Sequence, residues 1–288
     1  MSYILEVRSL TYSYGSGNMF THDAVSDVSF GIESGEIVGI IGHTGSGKTT
    51  LVQQLNGLLK PTDGKVLFED RDIWENPKKI KNVRFQVGLV FQYPEYQLFE
   101  ETVFSDIAFG PKNMGLSGDE LKKSVTEICE LIGIPEEYYE RSPFELSGGE
   151  KRRVAIAGVM AMRPKVLILD EPIAGLDPKG RADVVKMIRD YRNSSGATVI
   201  IISHNMEDMA MLADRLIVMN DGKLLMFDDT KKVFSRPEVL RSAGLDVPIV
   251  TQVFEKIRSR GIDVPADIFT VEDAVEYLTF VKEGNGNA

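Results

Sequence analysis

Gly42-His43-Thr44-Gly45-Ser46-Gly47-Lys48-Thr49-Thr50 has the spacing G-x-x-x-x-G-K-[ST], directly after the apolar run Ile37 to Ile41 and before Leu51-Val52-Gln53-Gln54-Leu55. Glycines there let backbone N–H groups curl around an oligophosphate, and the following helix adds the positive end of its dipole. Lys48 would reach the β and γ phosphates, and the Thr49 hydroxyl would ligate Mg²⁺. A turn that merely joined strand to helix would have no use for that lysine and threonine. A second apolar run, Val166-Leu-Ile-Leu-Asp170-Glu171, ends in two carboxylates, at the edge where α/β sheets bind ligands. Asp170 is expected to hold Mg²⁺ through water, and Glu171 to orient and deprotonate the attacking water. His204, after the run Val199 to Ile202, would hydrogen-bond the γ-phosphate and steady Glu171. Gln92, closing Val87 to Phe91, would offer its amide oxygen to Mg²⁺ and its nitrogen to the lytic water. A strand-end acid pair, a lone histidine or a glutamine each has an ordinary structural explanation, but beside a phosphate loop they form a constellation.

Leu146-Ser147-Gly148-Gly149-Glu150 precedes a helical run from Lys151 to Ala161 and puts Ser147 at an N-cap with bare N–H groups facing outward. The pentapeptide alone could be a glycine-rich helix cap. In a chain that already has a complete phosphate loop, it reads as a second anion site, one that serves another molecule's nucleotide.

Behind these residues, short β-branched runs alternate with helical patterns, the signature of a parallel sheet covered by helices. Ile37 to Ile41, Val87 to Phe91, Val166 to Leu169 and Val199 to Ile202 are continuously apolar and read as strands buried on both faces, whereas Ile4 to Val7 and Val25 to Ile32 alternate and suggest an antiparallel edge subdomain. Between Thr102 and Pro164 the pattern turns helical. Ser117 with Glu120 has the spacing of a capping box, and Leu121, Val125, Ile128 and Ile132 keep one apolar stripe until Gly133. After Phe227 three more helices are expected, near Ser235 to Ala243, Val250 to Arg260 and Thr270 to Val281, with a frayed tail from Gly284 to Ala288.

The 288 residues are 43% apolar and 26% charged, which excludes disordered and fibrous classes. A net charge of −10 argues against nucleic acid as a partner. The single cysteine, Cys129, cannot close an internal disulfide and fits a reducing compartment. The N-terminus has no basic start followed by an apolar stretch, and no apolar run is long enough to span a bilayer. The expectation is a cytosolic chain, or one held at a membrane by a partner.

Assembled, these residues resemble the ATP-binding-cassette ATPases over essentially residues 1 to 230. The resemblance identifies Walker A as Gly42 to Thr50, the Q-loop as Gln92, the signature as Leu146 to Glu150, Walker B as Val166 to Glu171, the D-loop as Ala174-Gly-Leu-Asp177 and the switch histidine as His204. It implies an α/β fold with a P-loop parallel sheet core, an antiparallel β subdomain and a helical lobe at about 102–164. This domain would span 1–234, followed by a C-terminal helical extension, 235–288, that contributes to dimer contacts. The family's adenine-stacking aromatic falls at Thr11-Tyr-Ser-Tyr14, and Tyr14 is the choice because it immediately precedes the glycine turn. Glu150 stands where the signature usually has glutamine, and Ile173 where threonine is common. Phe91 to Val103, Phe109 to Gly115, Ala155 to Met162 and Gly175 to Arg181 look like the second of two paralogous ATPases of energy-coupling factor transporters. That implies an Mg²⁺-dependent ATPase, peripheral on the cytoplasmic face, paired with a paralogous cassette and docked on a membrane scaffold (T component) beside a substrate-binding membrane protein (S component), importing vitamins or metal ions. Other importer ATPases share the catalytic motifs. A non-transport cassette of DNA repair or translation would be expected to show a second cassette, a long coiled coil or a basic nucleic-acid surface, and none is visible.

Overall fold

The computed structural model describes residues 3–15 and 22–285. The alternating N-terminal segments form β1 (Leu5–Tyr14) and β2 (His22–Ile32), antiparallel with Leu5 opposite Ile32. Then follow β3 (Ile37–Ile41), α1 (Lys48–Leu55), β4 (Asp63–Phe68), the two-residue β5 (Arg71–Asp72), α2 (Ile80–Gln86) and β6 (Val87–Val90). The helical stretch consists of α3 (Val103–Met114), α4 (Gly118–Ile132) and α5 (Gly148–Met160). The chain returns through β7 (Val166–Asp170), α6 (Pro178–Ser195), β8 (Thr198–Ile202), α7 (Met206–Leu212), β9 (Arg215–Asn220) and β10 (Lys223–Asp229). It ends with α8 (Thr230–Phe234), α9 (Pro237–Ser242), α10 (Ile249–Ser259) and α11 (Val271–Asn285).

Among the described residues there are two sheets, one antiparallel in the order β2-β1-β4-β5 and one in the order β10-β9-β3-β8-β7-β6. The second is parallel except for β10, which pairs antiparallel with β9. Every residue of β3, β7 and β8 is buried, as continuous apolar runs demand when both faces are covered. Side chains alternate between the two faces. Leu167 and Leu169 join a core with Ile107, Val125 and Ile156 of the helical lobe, while Val166 and Ile168 join a core with Leu5, Val7 and Leu10 of the antiparallel sheet. Because β3, β6, β7 and β8 run parallel, their carboxyl ends line one edge, and the phosphate loop, Gln92, the Asp170-Glu171 pair and His204 all leave from it.

Two local expectations need revision. Ser117 begins α4 but makes no side-chain cap bond, so the Ser117/Glu120 capping box does not form; Gly133 does end that helix in the left-handed conformation, at φ 70°. β4, β9 and β10 are strands beyond those expected, and β10 in particular is half-exposed with charged ends. At the C-terminus, Phe254, Ile268 and Ala274 form a small core of their own, and Phe269 packs 6.0 Å from Phe234, tying α11's approach to α8. The tail's residues 284 and 285 continue α11, and the remainder of the expected frayed tail lies outside the described residues. Among the described residues no helix is long and apolar enough to cross a membrane.

Candidate active site

The phosphate loop joins β3 to α1 through Gly47, whose φ of 97° and close approach to the Ala24 carbonyl exclude a side chain. Ser46 is fully buried, whereas His43 is half-buried and its ring lies 3.4 Å from Asp221. Thr44 and Gly45 stand exposed at the turn. The Lys48 ammonium, 6% exposed, donates to the loop's own carbonyls of Gly42 and His43 at 2.7 and 2.9 Å. Burial draws its pKa below the usual lysine value, and the neighbouring Glu171 and Asp170 charges oppose that. Phosphate oxygens approaching the loop would take over those hydrogen bonds and restore the lysine's counter-charge.

Thr49 and Asp170 meet across the edge, with Oγ1 donating to Oδ2 at 3.3 Å. These hard oxygen donors beside a phosphate cradle fit Mg²⁺, which binds through one or two protein oxygens and completes its shell with water and phosphate. Among the described residues there is no cluster of three histidine, cysteine or acidic groups suited to hold a metal unaided. Gln92 is exposed just beyond the end of β6, at the same sheet edge as Thr49 and Asp170, and makes no hydrogen bond to either.

Glu171 directly follows β7, its amide donating to the Ile202 carbonyl of β8 at 3.0 Å and its backbone in the left-handed region at φ 50°. A non-glycine residue held there marks local strain that the surrounding structure must overcome. The carboxyl is buried, and one oxygen, Oε1, has no hydrogen-bond partner. His204 Nε2 lies 3.1 Å from that oxygen without completing a hydrogen bond to it. Burial, reinforced by the Asp170 charge, pushes the Glu171 carboxyl up to about 7, against the pull of Lys48. Burial also lowers the His204 imidazole below its usual value, with Lys48 adding to the effect. A neutral imidazole beside an oxygen without a partner, next to a phosphate cradle, is the arrangement of a general base awaiting a water.

Tyr14 is exposed, with its hydroxyl 3.3 Å from the Thr50 hydroxyl at the start of α1, and Tyr12 meets it edge-on at 4.9 Å while packing against the core. Of the two rings, Tyr14 therefore has the free face above the phosphate-loop helix.

The pentapeptide at Ser147 opens α5 with a complete capping box. The Ser147 hydroxyl accepts from the Glu150 amide, and the Glu150 carboxylate accepts from the Ser147 amide at 2.8 Å and hydroxyl at 2.6 Å. Tyr138 donates to the same carboxylate at 2.9 Å, and these bonds hold it below the usual glutamate range. Glu150 thus has a local explanation, since a carboxylate accepts every bond that this cap offers. A Cβ at Gly148 or Gly149 would meet nothing within 4 Å, so intrachain packing gives no reason for glycine at either position. Ser147, Gly149 and Glu150 share a cleft of about 490 Å³ with Asp177, which caps α6 by accepting from the Gly180 amide at 2.7 Å. No phosphate-loop residue lines that cleft.

The sequence places Arg152 on the outer face of the α5 helix and Glu95 among the acids crowding the stretch after Gln92; the structure instead buries Arg152 and pairs the two side chains at 2.7 Å between α5 and the turn after Gln92. Nothing local signals a pairing across 57 positions.

The ABC transporter family model matches residues 25–174. Over 283 residues the chain is 51% identical to the energy-coupling factor transporter ATP-binding protein EcfA2 of Caldanaerobacter subterraneus subsp. tengcongensis, covering 98% of this chain and 99% of that one. Among solved structures it is similar to cbiO1 from Clostridium perfringens, described as part of the ABC transporter complex cbiONQ, at TM-score 0.75 and 39% identity over 88% of this chain and 100% of the other. It is also similar to an ATP-binding cassette solved as a dimer in a post-hydrolysis state bound to ADP and Pi, at TM-score 0.70 and 26% identity over 78% and 98% of the two chains.

Proposed function

Because the chain belongs to the ABC transporter family, and within it to the ATP-binding proteins of energy-coupling factor transporters, we propose that it is the ATP-hydrolysing motor of an importer for a vitamin or metal-ion micronutrient, working from the cytoplasmic face of the cell membrane. The observation that carries the hydrolytic role is Glu171. Its carboxyl is buried, strained in backbone and held near neutrality, with one oxygen free of partners beside Lys48 and the Thr49–Asp170 pair.

In this reading Tyr14 stacks on adenine, the amides and hydroxyls of Gly42 to Thr50 wrap the phosphates, and Lys48 binds the β and γ phosphates. Thr49 and Asp170, with Gln92 as a further oxygen donor, hold Mg²⁺, which supplies neutralising charge on the phosphates when bound. Glu171 orients and deprotonates the attacking water, and His204 positions Glu171 and meets the γ-phosphate.

The signature segment Ser147, Gly148, Gly149 and Glu150 is assigned to a second cassette's ATP, with Asp177 bracing the joint. Two glycines without an internal packing role and a cleft lined by no phosphate-loop residue support that assignment. The partner cassette is a paralogue in a head-to-tail heterodimer. Exposed Val271, Val275 and Leu278, spaced i, i+4 and i+7 on α11, suit further dimer contact by the C-terminal extension.

For the membrane scaffold, the segment after Gln92 offers an exposed aromatic patch of Tyr93, Tyr96, Phe99 and Phe109, with Phe99 edge-on to Phe109 at 4.9 Å. Of the acids crowded here, Glu95 pairs inward with Arg152, and Asp106 accepts from the Phe99 and Glu100 amides. Glu100 and Glu101 therefore remain for basic residues of the scaffold's cytoplasmic helices. Purifying the tagged chain from membranes tests the reading. Recovery of a second cassette, a scaffold protein and a substrate-binding membrane protein is expected, and recovery of the chain without any membrane protein would sink it.

A further inference from the structure

Arg152 lies about one helical turn past Ser147 on α5, and only 4% of its surface reaches solvent. Its guanidinium joins three segments of chain. Nε and one terminal nitrogen donate to the two carboxylate oxygens of Glu95 at 3.0 and 2.7 Å. The other terminal nitrogen donates to the carbonyls of Ala174 at 2.6 Å and Pro172 at 3.4 Å. Glu95 belongs to the turn Pro94–Gln97, flanked by the exposed rings of Tyr93 and Tyr96. Pro172 and Ala174 follow Glu171 and lead to Asp177.

The planar fork matches a carboxylate on one side while reaching carbonyls on the other, which a lysine cannot do. Losing Glu95 would leave the buried guanidinium with an uncompensated, desolvated charge, and losing either carbonyl would leave a buried donor short of an acceptor. The three segments are therefore held to move together and not one by one.

We propose that Arg152 is a positioning residue that ties the scaffold-facing turn around Glu95 to the Ser147 end of α5 and to the loop between Glu171 and Asp177, so that docking of the membrane scaffold sets the orientation of the signature end and the D-loop. This rests on the transport reading above and names the residue through which scaffold contact reaches the shared nucleotide site. Gln92 is not among the partners of the Arg152 side chain.

The test uses the complex purified from membranes with wild-type chain, Arg152→Lys or Glu95→Gln. Amide hydrogen exchange is compared between isolated chain and nucleotide-free complex, and Mg-ATP hydrolysis is measured in the complex. For the wild type, assembly is expected to slow exchange at 93–99, at 147–152 and at 172–177. In both variants the slowing at 93–99 should persist while that at 147–152 and 172–177 disappears. The kcat for ATP should fall about tenfold, with KM within twofold of wild type. Slowing retained at all three segments together with unchanged kcat would overturn the proposal. So would a loss of slowing at 93–99 itself, which would reduce Arg152 to a general support of the fold. Should Arg152→Lys fail to fold, Glu95→Gln decides alone, because it leaves the arginine and its two carbonyl partners in place. A wild-type chain that brings no membrane scaffold with it contradicts the transport reading and not this connection.

Discussion

Replacing Glu171 by Gln should make the nucleotide-free chain more stable, and only at neutral to alkaline pH. The carboxyl titrates at about 7 in the folded chain instead of its ordinary 4.5, chiefly because burial penalises its charge. A raised acid contributes stability that is complete below the ordinary value and is lost as pH rises through the folded one. Each pH unit of that gap corresponds to about 1.36 kcal/mol, so the ionised carboxylate costs the fold on the order of 3 kcal/mol at pH 8. The side chain is 8% exposed, so solvent screening removes little of this. Glutamine has nearly the same shape and no charge, and for a chain of this size the gain corresponds to roughly 5 to 10 °C in Tm at pH 8. The assay is thermal or urea unfolding of the isolated chain without nucleotide, wild type against Glu171→Gln, from pH 5 to pH 8. The gain should shrink toward zero as pH falls toward 5. A variant no more stable than wild type at pH 8, or equally stabilised at both ends of the range, would refute the argument that Glu171 is a buried base held under electrostatic stress.

Three other outcomes follow from the same geometry. Lys48→Ala removes the ammonium that faces the phosphate cradle and should weaken ATP binding by the isolated chain at least about tenfold, read by fluorescent-nucleotide titration; unchanged affinity would remove Lys48 from the phosphate contacts. Ser147→Arg should leave ATP binding by its own chain intact while blocking ATP-driven closure over the partner cassette's nucleotide, read by site-specific cross-linking. Phosphate release separates the combinations: with a Walker B glutamate mutant in the partner both lesions fall on one composite site and the other should still turn over, whereas with Glu171→Gln in this chain both sites should stop; identical losses of turnover in the two combinations would dismiss the shared site. Glu150→Gln keeps an acceptor for the Ser147 cap but takes a carboxylate away from the phosphate that the signature meets, so ATP-driven closure should tighten while stability changes by less than about 1 kcal/mol, as an exposed cap implies; weaker closure would mean that the charge itself holds Ser147 in its working position.

The features legible in the amino-acid sequence and those that are not divide along physical lines. The phosphate loop, the four buried strands and the Ser147 cap are local patterns, in which residue type and spacing dictate backbone geometry within a few positions, and the family resemblance supplies their order. Ser117 and Glu120 have the same spacing as Ser147 and Glu150, yet only the second pair closes its box, with Tyr138 as an additional partner for its carboxylate. β10, with lysine at one end and two aspartates at the other, lacks the apolar run that marks a buried strand and owes its place to pairing with β9. The choice of Tyr14 over Tyr12 follows from the glycine turn, but which ring faces outward is visible only in the packing. Arg152 and Glu95 are the clearest case of illegibility. As isolated charges they read as surface residues, and only the fold brings them together as a buried pair.

The central claim is tested most directly by phosphate release from Mg-ATP in the membrane-derived complex, comparing wild type with Glu171→Gln in this chain while ATP binding is followed in parallel. The variant should bind ATP as wild type does and release phosphate about 10²-fold more slowly, because shape and hydrogen-bonding reach are kept and the base is removed. Equal turnover in the two complexes would contradict the assignment of this chain's buried carboxylate as the group that drives hydrolysis.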